Sequence, residues 1–322
     1  MPFRQLTVSG FPAVSLRAGL IEVVALPGIG LKLTNLRRAG GREWLWRSDQ
    51  IPLAEPVPGA SYVETADSGG WDECFPTVGP SAVPGRPGEA PLPDHGELWS
   101  APWESALYER QGAVTLTGRV RSERFPCELV REVTVVPDEP VVRFRYSLRH
   151  LGGEAFPWIW SSHPLLNVQP GSRLELPGVT QVRVDAAHGR PDLEPDDHVS
   201  WPGGIGGRQD HFEFPGRPAT GWAAKVFADA GDDRCAVLTD PRRGERLEFR
   251  VRRTNVPQVG VWINCGGWAP GGKRPYYNLA LEPCIGAPDR LDRAADWGLA
   301  QTLVPGEHRD WELEAWLLEE GE

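Results

Sequence analysis

Short segments of alternating apolar and polar residues, each ended by Gly or Pro, run the length of the chain and limit what it can fold into. Gln5 to Ser9, Ala13 to Arg17, Leu20 to Ala25, Gly30 to Arg37 and Glu43 to Trp46 come first. Ala113 to Val120, Cys127 to Val136, Val141 to His150 and Pro157 to Val168 follow, then Gln181 to Val184, Trp222 to Ala228, Cys235 to Asp240, Arg246 to Val251, Pro257 to Cys265 and Trp311 to Leu318. Alternation of this kind marks strands with one buried face, and 37 Gly and 32 Pro in 322 residues suit the turns between them. One short helix is predicted, over Asp289 to Gly298, with Asp289 as N-cap and Gly298 just past the last turn. Strands do not alternate with long helices, and no repeat of about 20 to 50 residues is present, which excludes doubly wound sheets and solenoids. The fold class is therefore all-β, a large antiparallel sandwich, with residues 1–322 expected to form a single domain.

Charge and composition exclude several functions. A net charge of −10 without a Lys/Arg stripe argues against nucleic acid, whose phosphates need neutralising. No apolar run reaches the 18 or so residues of a membrane span, and Met1 to Leu20 lacks the pattern of a signal peptide, so a cytoplasmic location is expected. Five cysteines without a CxxC pair indicate buried thiols, not a disulfide framework or zinc ribbon. From Arg47 to Glu104 the alternation is lost, yet GGWDECFPTVGP (Gly69 to Pro80) and LPDHGELW (Leu92 to Trp99) look ordered. A long irregular segment inside a compact domain is more often a functional loop than a linker.

In YYNLALEPCIGAPD, Tyr277, Leu279 and Leu281 fall on one strand face and Asn278, Ala280 and Glu282 on the other. Pro283 removes a backbone donor, so the strand is expected to end where the carboxylate projects. In PWIWSSHPLLNV, Ile159, Ser161 and His163 share a face. In Val259 to Cys265 an apolar face leaves Gln258, Gly260, Trp262 and Asn264 opposite it, a binding surface with an aromatic floor. His95 lies in the irregular loop, and Asp210 precedes His211 in QDHFEF. Each has an ordinary structural explanation when taken singly: a surface Glu, a core His, a loop hydrogen-bonder, a turn Asp. No GxSxG, HExxH, Walker or dinucleotide motif is present. Asp72 and Glu73 point to opposite faces and so cannot flank one glycosidic bond.

Together GGWDECFPTVGP, LPDHGELW, SSHPLLNV, QDHFEF and LALEPCIGAPD resemble, in order, the site motifs of the aldose 1-epimerase or galactose mutarotase family, and more closely the branch with the hexose-6-phosphate mutarotases. The resemblance implies a β-supersandwich that binds a monosaccharide and interconverts its α and β anomers. Glu282 matches the base, His163 the acid, and His95 and Asp210 match sugar-binding residues; no metal or organic cofactor is implied. Asp72, Trp262 and Asn264 are added as substrate-binding residues. The chemistry needs an ionised Glu282 and a charged His163, with nearby carboxylates expected to favour the imidazolium and a bell-shaped rate profile to result. Two departures point away from sugar phosphates: Gly96 and Glu97, which would repel phosphate, follow His95 where those relatives carry an Arg, and Trp71, Asp72 and Glu73 replace apolar residues. Arg42, Lys225 and Arg274 remain as sources of positive charge. A non-catalytic sugar sensor, or another carbohydrate lyase or isomerase, is the alternative. Expected partners are a monosaccharide and, at most, a second copy in a homodimer.

Overall fold

The computed structural model describes residues 3–216, 221–319, 321 and 322. Among these, an eleven-stranded sheet packs on a nine-stranded sheet, and Phe156–Trp158 pairs with Gln301–Leu303 as a separate ribbon. Neighbouring strands are antiparallel throughout both sheets. In the larger sheet five consecutive strands matter for function: Trp71–Cys74, Trp160–Leu166, Tyr277–Ile285, Gln258–Cys265 and Ala223–Asp229. They are brought together from distant parts of the sequence. The smaller sheet centres on His308–Glu319, flanked by Glu245–Val251 and Val141–His150.

Where one face meets solvent, burial follows the alternation in the sequence: Cys127–Val135 is buried at every second residue. Tyr277–Ile285 is instead buried at all nine positions. Its Tyr277, Leu279 and Leu281 face packs in the main core, while loops cover the Glu282 face. That core runs from Leu16 to Leu317 and includes Trp71, Trp158, Trp160 and Trp311. It also holds a buried ion pair, Glu73 with Arg131 at 2.9 Å, where Trp160 and Tyr146 donate to the carboxylate. Burial raises the Glu73 carboxyl to about 7 despite the guanidinium.

Three local expectations need correction. The strand does not end at Glu282 but runs on through Pro283 to Ile285. It tolerates the proline because the ladder with Trp160–Leu166 opens there: Trp160 pairs with Ile285 and Ser161 with Cys284, then pairing resumes in the same register at Leu165 and Ala280. Two of the three missing pairs contain a proline, Pro164 or Pro283, which has no N–H to give. The helix is Leu291–Asp296 with Arg290 at its N-cap and no side-chain cap, because the Asp289 carboxylate turns to Lys225 at 3.1 Å. Gly298, at φ +72°, does follow the last turn. Finally, the 47–104 segment is integral: Val83 and Leu92 sit in the main core, so Val83 to Pro93 is no linker.

Candidate active site

Cross-strand neighbours share a face, so the register of the large sheet lays out rows of side chains. One row reads Asp72, His163, Glu282, Gly260 and Phe227, with His163 opposite Glu282 where the ladder is open. The next reads Leu165, Ala280, Trp262, Lys225 and Ala186. Over these rows the irregular segments close a cavity of about 220 Å³: Tyr62, Asp67 and His95 come from the 47–104 segment, Trp268 and Tyr276 from the turn beyond Cys265, Asp185 and His188 from the bulge and end of Gln181–His188, and Asp289 from the loop after Ile285. Gly260 is required in the floor, since a Cβ there would lie 2.8 Å from the Phe227 ring and 3.4 Å from Cβ of Glu282.

Glu282 is fully buried, and its two oxygens differ. Oε2 accepts from Lys225 Nζ at 2.6 Å and from Ser161 Oγ at 3.4 Å. Oε1 has no hydrogen-bond partner and lies 3.9 Å from Nε2 of His163. Lys225 also reaches Asp289 at 3.1 Å. Burial opposes the ammonium, but Asp289 and Glu282 more than offset it and raise the Lys225 pKa. Asp289 is raised, by burial first and then by Glu282, with Lys225 opposing. Asp185 is lifted to about 6 by burial and by Asp289.

The two histidines are in contrasting environments. Burial disfavours charge on His95, yet the Asp94 carboxylate at 2.8 Å from Nδ1, with Asp289 and Asp67 beyond, raises its pKa overall. Ser61 and the Val63 backbone hold Asp94 in turn. His163 is pushed well below the ordinary histidine range, by burial first and then by His95, Lys225 and Lys32. Burial and these cations oppose the imidazolium expected at His163, although the Glu282 carboxylate lies 3.9 Å from its Nε2. The rings of His95 and His163 meet edge to face with centroids 4.8 Å apart, and Tyr62 stacks on His95 at 4.0 Å. His95 itself sits at φ +60°, and Gly96 follows because a Cβ there would come 2.1 Å from the Phe75 carbonyl oxygen.

Glu282, His163, His95 and Trp262 come together on the cavity wall. Asp72 does not line it; buried beneath, it accepts from Lys32 and the Tyr62 hydroxyl, each at 2.6 Å. Asn264 acts through a turn, accepting from the N–H groups of Gly266 and Gly267 and donating to the Trp268 carbonyl, which sets Trp268 against Trp262. Asp210 does not join them: its side chain is 82% exposed and pairs with His211 beside Phe212–Glu213, an edge strand of the other sheet. Glu97 is bonded to Ser122 away from the cavity, so it repels nothing there. Trp71 and Glu73 belong to the core, Arg42 pairs with Asp240 and Arg274 with Asp49, leaving Lys225 as the cation of that group within the site. Sequence reasoning missed Tyr62, Asp67, Asp185, His188 and Trp268, which carry no periodic signal, and took Asp289 for a cap.

Donor atoms of Cys74, His95 and His163 lie within 4.8 Å of one another, the one such group among the described residues. Burial raises the Cys74 thiol far above its ordinary range, which disfavours the thiolate. No helix among the described residues is long and apolar enough to cross a membrane.

No protein-family model and no curated protein matches the sequence. Solved structures do match the fold. The Slr1438 protein of Synechocystis sp. PCC 6803 superposes with a TM-score of 0.69 at 16% identity, over 99% of this chain and 96% of that one. A galactose mutarotase-like protein from Clostridium acetobutylicum gives 0.66 at 12% identity, over 98% of each chain. A proposed aldose 1-epimerase from Klebsiella pneumoniae gives 0.73 at 13% identity, over 99% of this chain and 83% of that one. With its antiparallel sheets, the chain has the galactose mutarotase-like β-sandwich fold.

Proposed function

We propose that the cavity binds a monosaccharide and interconverts its anomers, making the protein an aldose 1-epimerase, an isomerase working by general acid–base chemistry. The reading is carried by one observation: a buried carboxylate oxygen without a partner, Oε1 of Glu282, faces a histidine pair across a cavity of about 220 Å³. Glu282 takes the proton of the anomeric hydroxyl through Oε1 while Lys225 holds Oε2. His95, the histidine whose surroundings favour the charged form, supplies the proton to the ring oxygen. The C1–O5 bond breaks and the aldehyde rotates about C1–C2. Re-addition of O5 to the other face then returns the anomeric proton from Glu282 and the ring-oxygen proton to His95. His163, held neutral, offers a hydrogen bond to the sugar oxygens between them. Trp262 and Trp268 give aromatic faces against which the C–H face of a sugar ring packs.

Saturation-transfer NMR on a panel of free and phosphorylated aldoses tests the assignment. Glu282→Gln keeps the shape and removes the base, so exchange should fall by about two to four decades with the fold intact. Undiminished exchange in that variant would sink the assignment.

A further inference from the structure

Each carboxylate in and around the cavity has a cation in contact, with a single exception among the described residues. Asp72 pairs with Lys32 at 2.6 Å, Asp94 with His95 at 2.8 Å, Asp185 with Arg293 at 3.4 Å, and Glu282 and Asp289 share Lys225 at 2.6 and 3.1 Å. Asp67 lines the cavity and has no ion-pair partner among the described residues. It is 5% exposed, and its Oδ1 has no hydrogen-bond partner. Lys32 is the cation whose charge reaches it most strongly, but that ammonium already donates to Asp72 and to the Gly69 carbonyl. Burial raises the Asp67 carboxyl to about 6, which still leaves it mostly ionised at neutral pH.

Oδ1 of this buried carboxylate lacks a hydrogen bond, the Gly69 N–H serving the group from the backbone, and no counter-charge is in contact with it, whereas buried charges are ordinarily paired. A sugar hydroxyl supplies the first alone; an ammonium supplies both in a charge-assisted bond. Tyr62, Tyr276 and Trp268 line the same cavity, and aromatic faces favour a cation over an anion. Phosphate or carboxylate on the ligand would meet Asp67, Asp185, Glu282 and Asp289 against Lys225 and His95, with no arginine on the wall.

We propose that the substrate is an amino sugar, whose ammonium group sits against Asp67 while its anomeric centre lies between Glu282 and the histidines. The proposal rests on the sugar reading of the cavity, and the experiment separates the two. Anomer exchange is measured at neutral pH for 2-amino-2-deoxy- and 6-amino-6-deoxyhexoses, for the matching hexoses, for their N-acetylated forms and for hexose 6-phosphates. One of the two amine series should exceed its matched hexose in kcat/KM by about ten- to hundredfold, the worth of one charged hydrogen bond, and N-acetylation should erase the gain. Asp67→Asn should bring the ratio of amine to hexose towards one. A native enzyme that turns over hexoses as well as both amines overturns the proposal, and so does a ratio unchanged in the variant. Should Asp67→Asn fail to fold, the native panel decides alone. Should no sugar be exchanged, it is the epimerase reading that fails. Calorimetry of the native protein with the same sugars then decides the subsite: binding of an amine without its hexose supports it, and binding of neither overturns it.

Discussion

Replacing Lys225 by Met removes the one ammonium that two buried carboxylates share. Its Nζ lies 2.6 Å from Glu282 and 3.1 Å from Asp289, at side-chain exposures of 6%, 0% and 23%. At an effective dielectric of about 20 the gross attractions are roughly 6 and 5 kcal/mol. Desolvation of the lysine cancels part of this, and breaking such a buried pair costs about 3–5 kcal/mol net. The variant cannot leave both carboxylates ionised so close together, so the pair takes up a proton. The cost converts to about 2 to 4 pH units at 1.36 kcal/mol per unit, by which the acidic limb of the rate profile should move up. Exchange at neutral pH should therefore fall and recover as the pH is raised. The stability deficit should behave oppositely, shrinking as the pH falls, because a carboxyl with a raised folded pKa is most stabilising below its unfolded value. Saturation-transfer NMR across pH reads the first effect and urea unfolding at matched pH the second. A loss of rate by one factor at every pH would refute the reasoning and reduce Lys225 to a packing residue.

Asp94→Asn removes the partner that raises His95, whose contribution to stability is present below the unfolded histidine value and lost above the folded one; urea unfolding should show the deficit at about pH 5.5 and little at about pH 8.5, and the basic limb of the rate profile should move down. Arg131→Met strands Glu73, so thermal and urea unfolding should show a loss of about 3–5 kcal/mol, smaller in acid as Glu73, already raised to about 7, protonates; adding Glu73→Gln should restore much of it. Gly96→Ala puts a Cβ 2.1 Å from the Phe75 carbonyl oxygen at φ +71°, so a loss of about 1–3 kcal/mol in unfolding should accompany a slower exchange as His95 is displaced.

Alternation made the strands legible, and with them the faces of Glu282, His163 and Trp262, because a strand's pleat is a local property of its sequence. Register is not local. That Lys225 stands opposite Trp262 and reaches Glu282, 57 residues on, follows from two successive strand pairings, which no run of residues announces. Asp289 shows the same limit: its sequence position before a helix favours a cap worth about 1 kcal/mol, but a buried ammonium 3.1 Å away outweighs it. Asp210 matched a motif, yet the strand that follows it joins the sheet opposite the site, so its side chain stays with His211 in solvent.

The prolines in this sheet connect the legible part to the rest. A proline in a central strand ordinarily argues against the assignment, and on that ground the sequence predicts a strand end at Pro283. Pro164 and Pro283 instead lie within one three-pair interval of the same ladder, so the donors that each strand lacks fall where the other makes no demand. Ser162 Oγ donates to the Pro283 carbonyl at 3.3 Å and satisfies part of what the gap exposes. The interval frees His163 and Glu282, opposite each other at its centre, from the regular ladder while both strands stay fixed on either side by the unchanged register. The sheet thus holds His163 and Glu282 opposite each other by pairing on their outer sides, to Asp72 and Gly260, and leaves Oε1 of Glu282 without a hydrogen-bond partner, the arrangement that the proposed acid–base site requires.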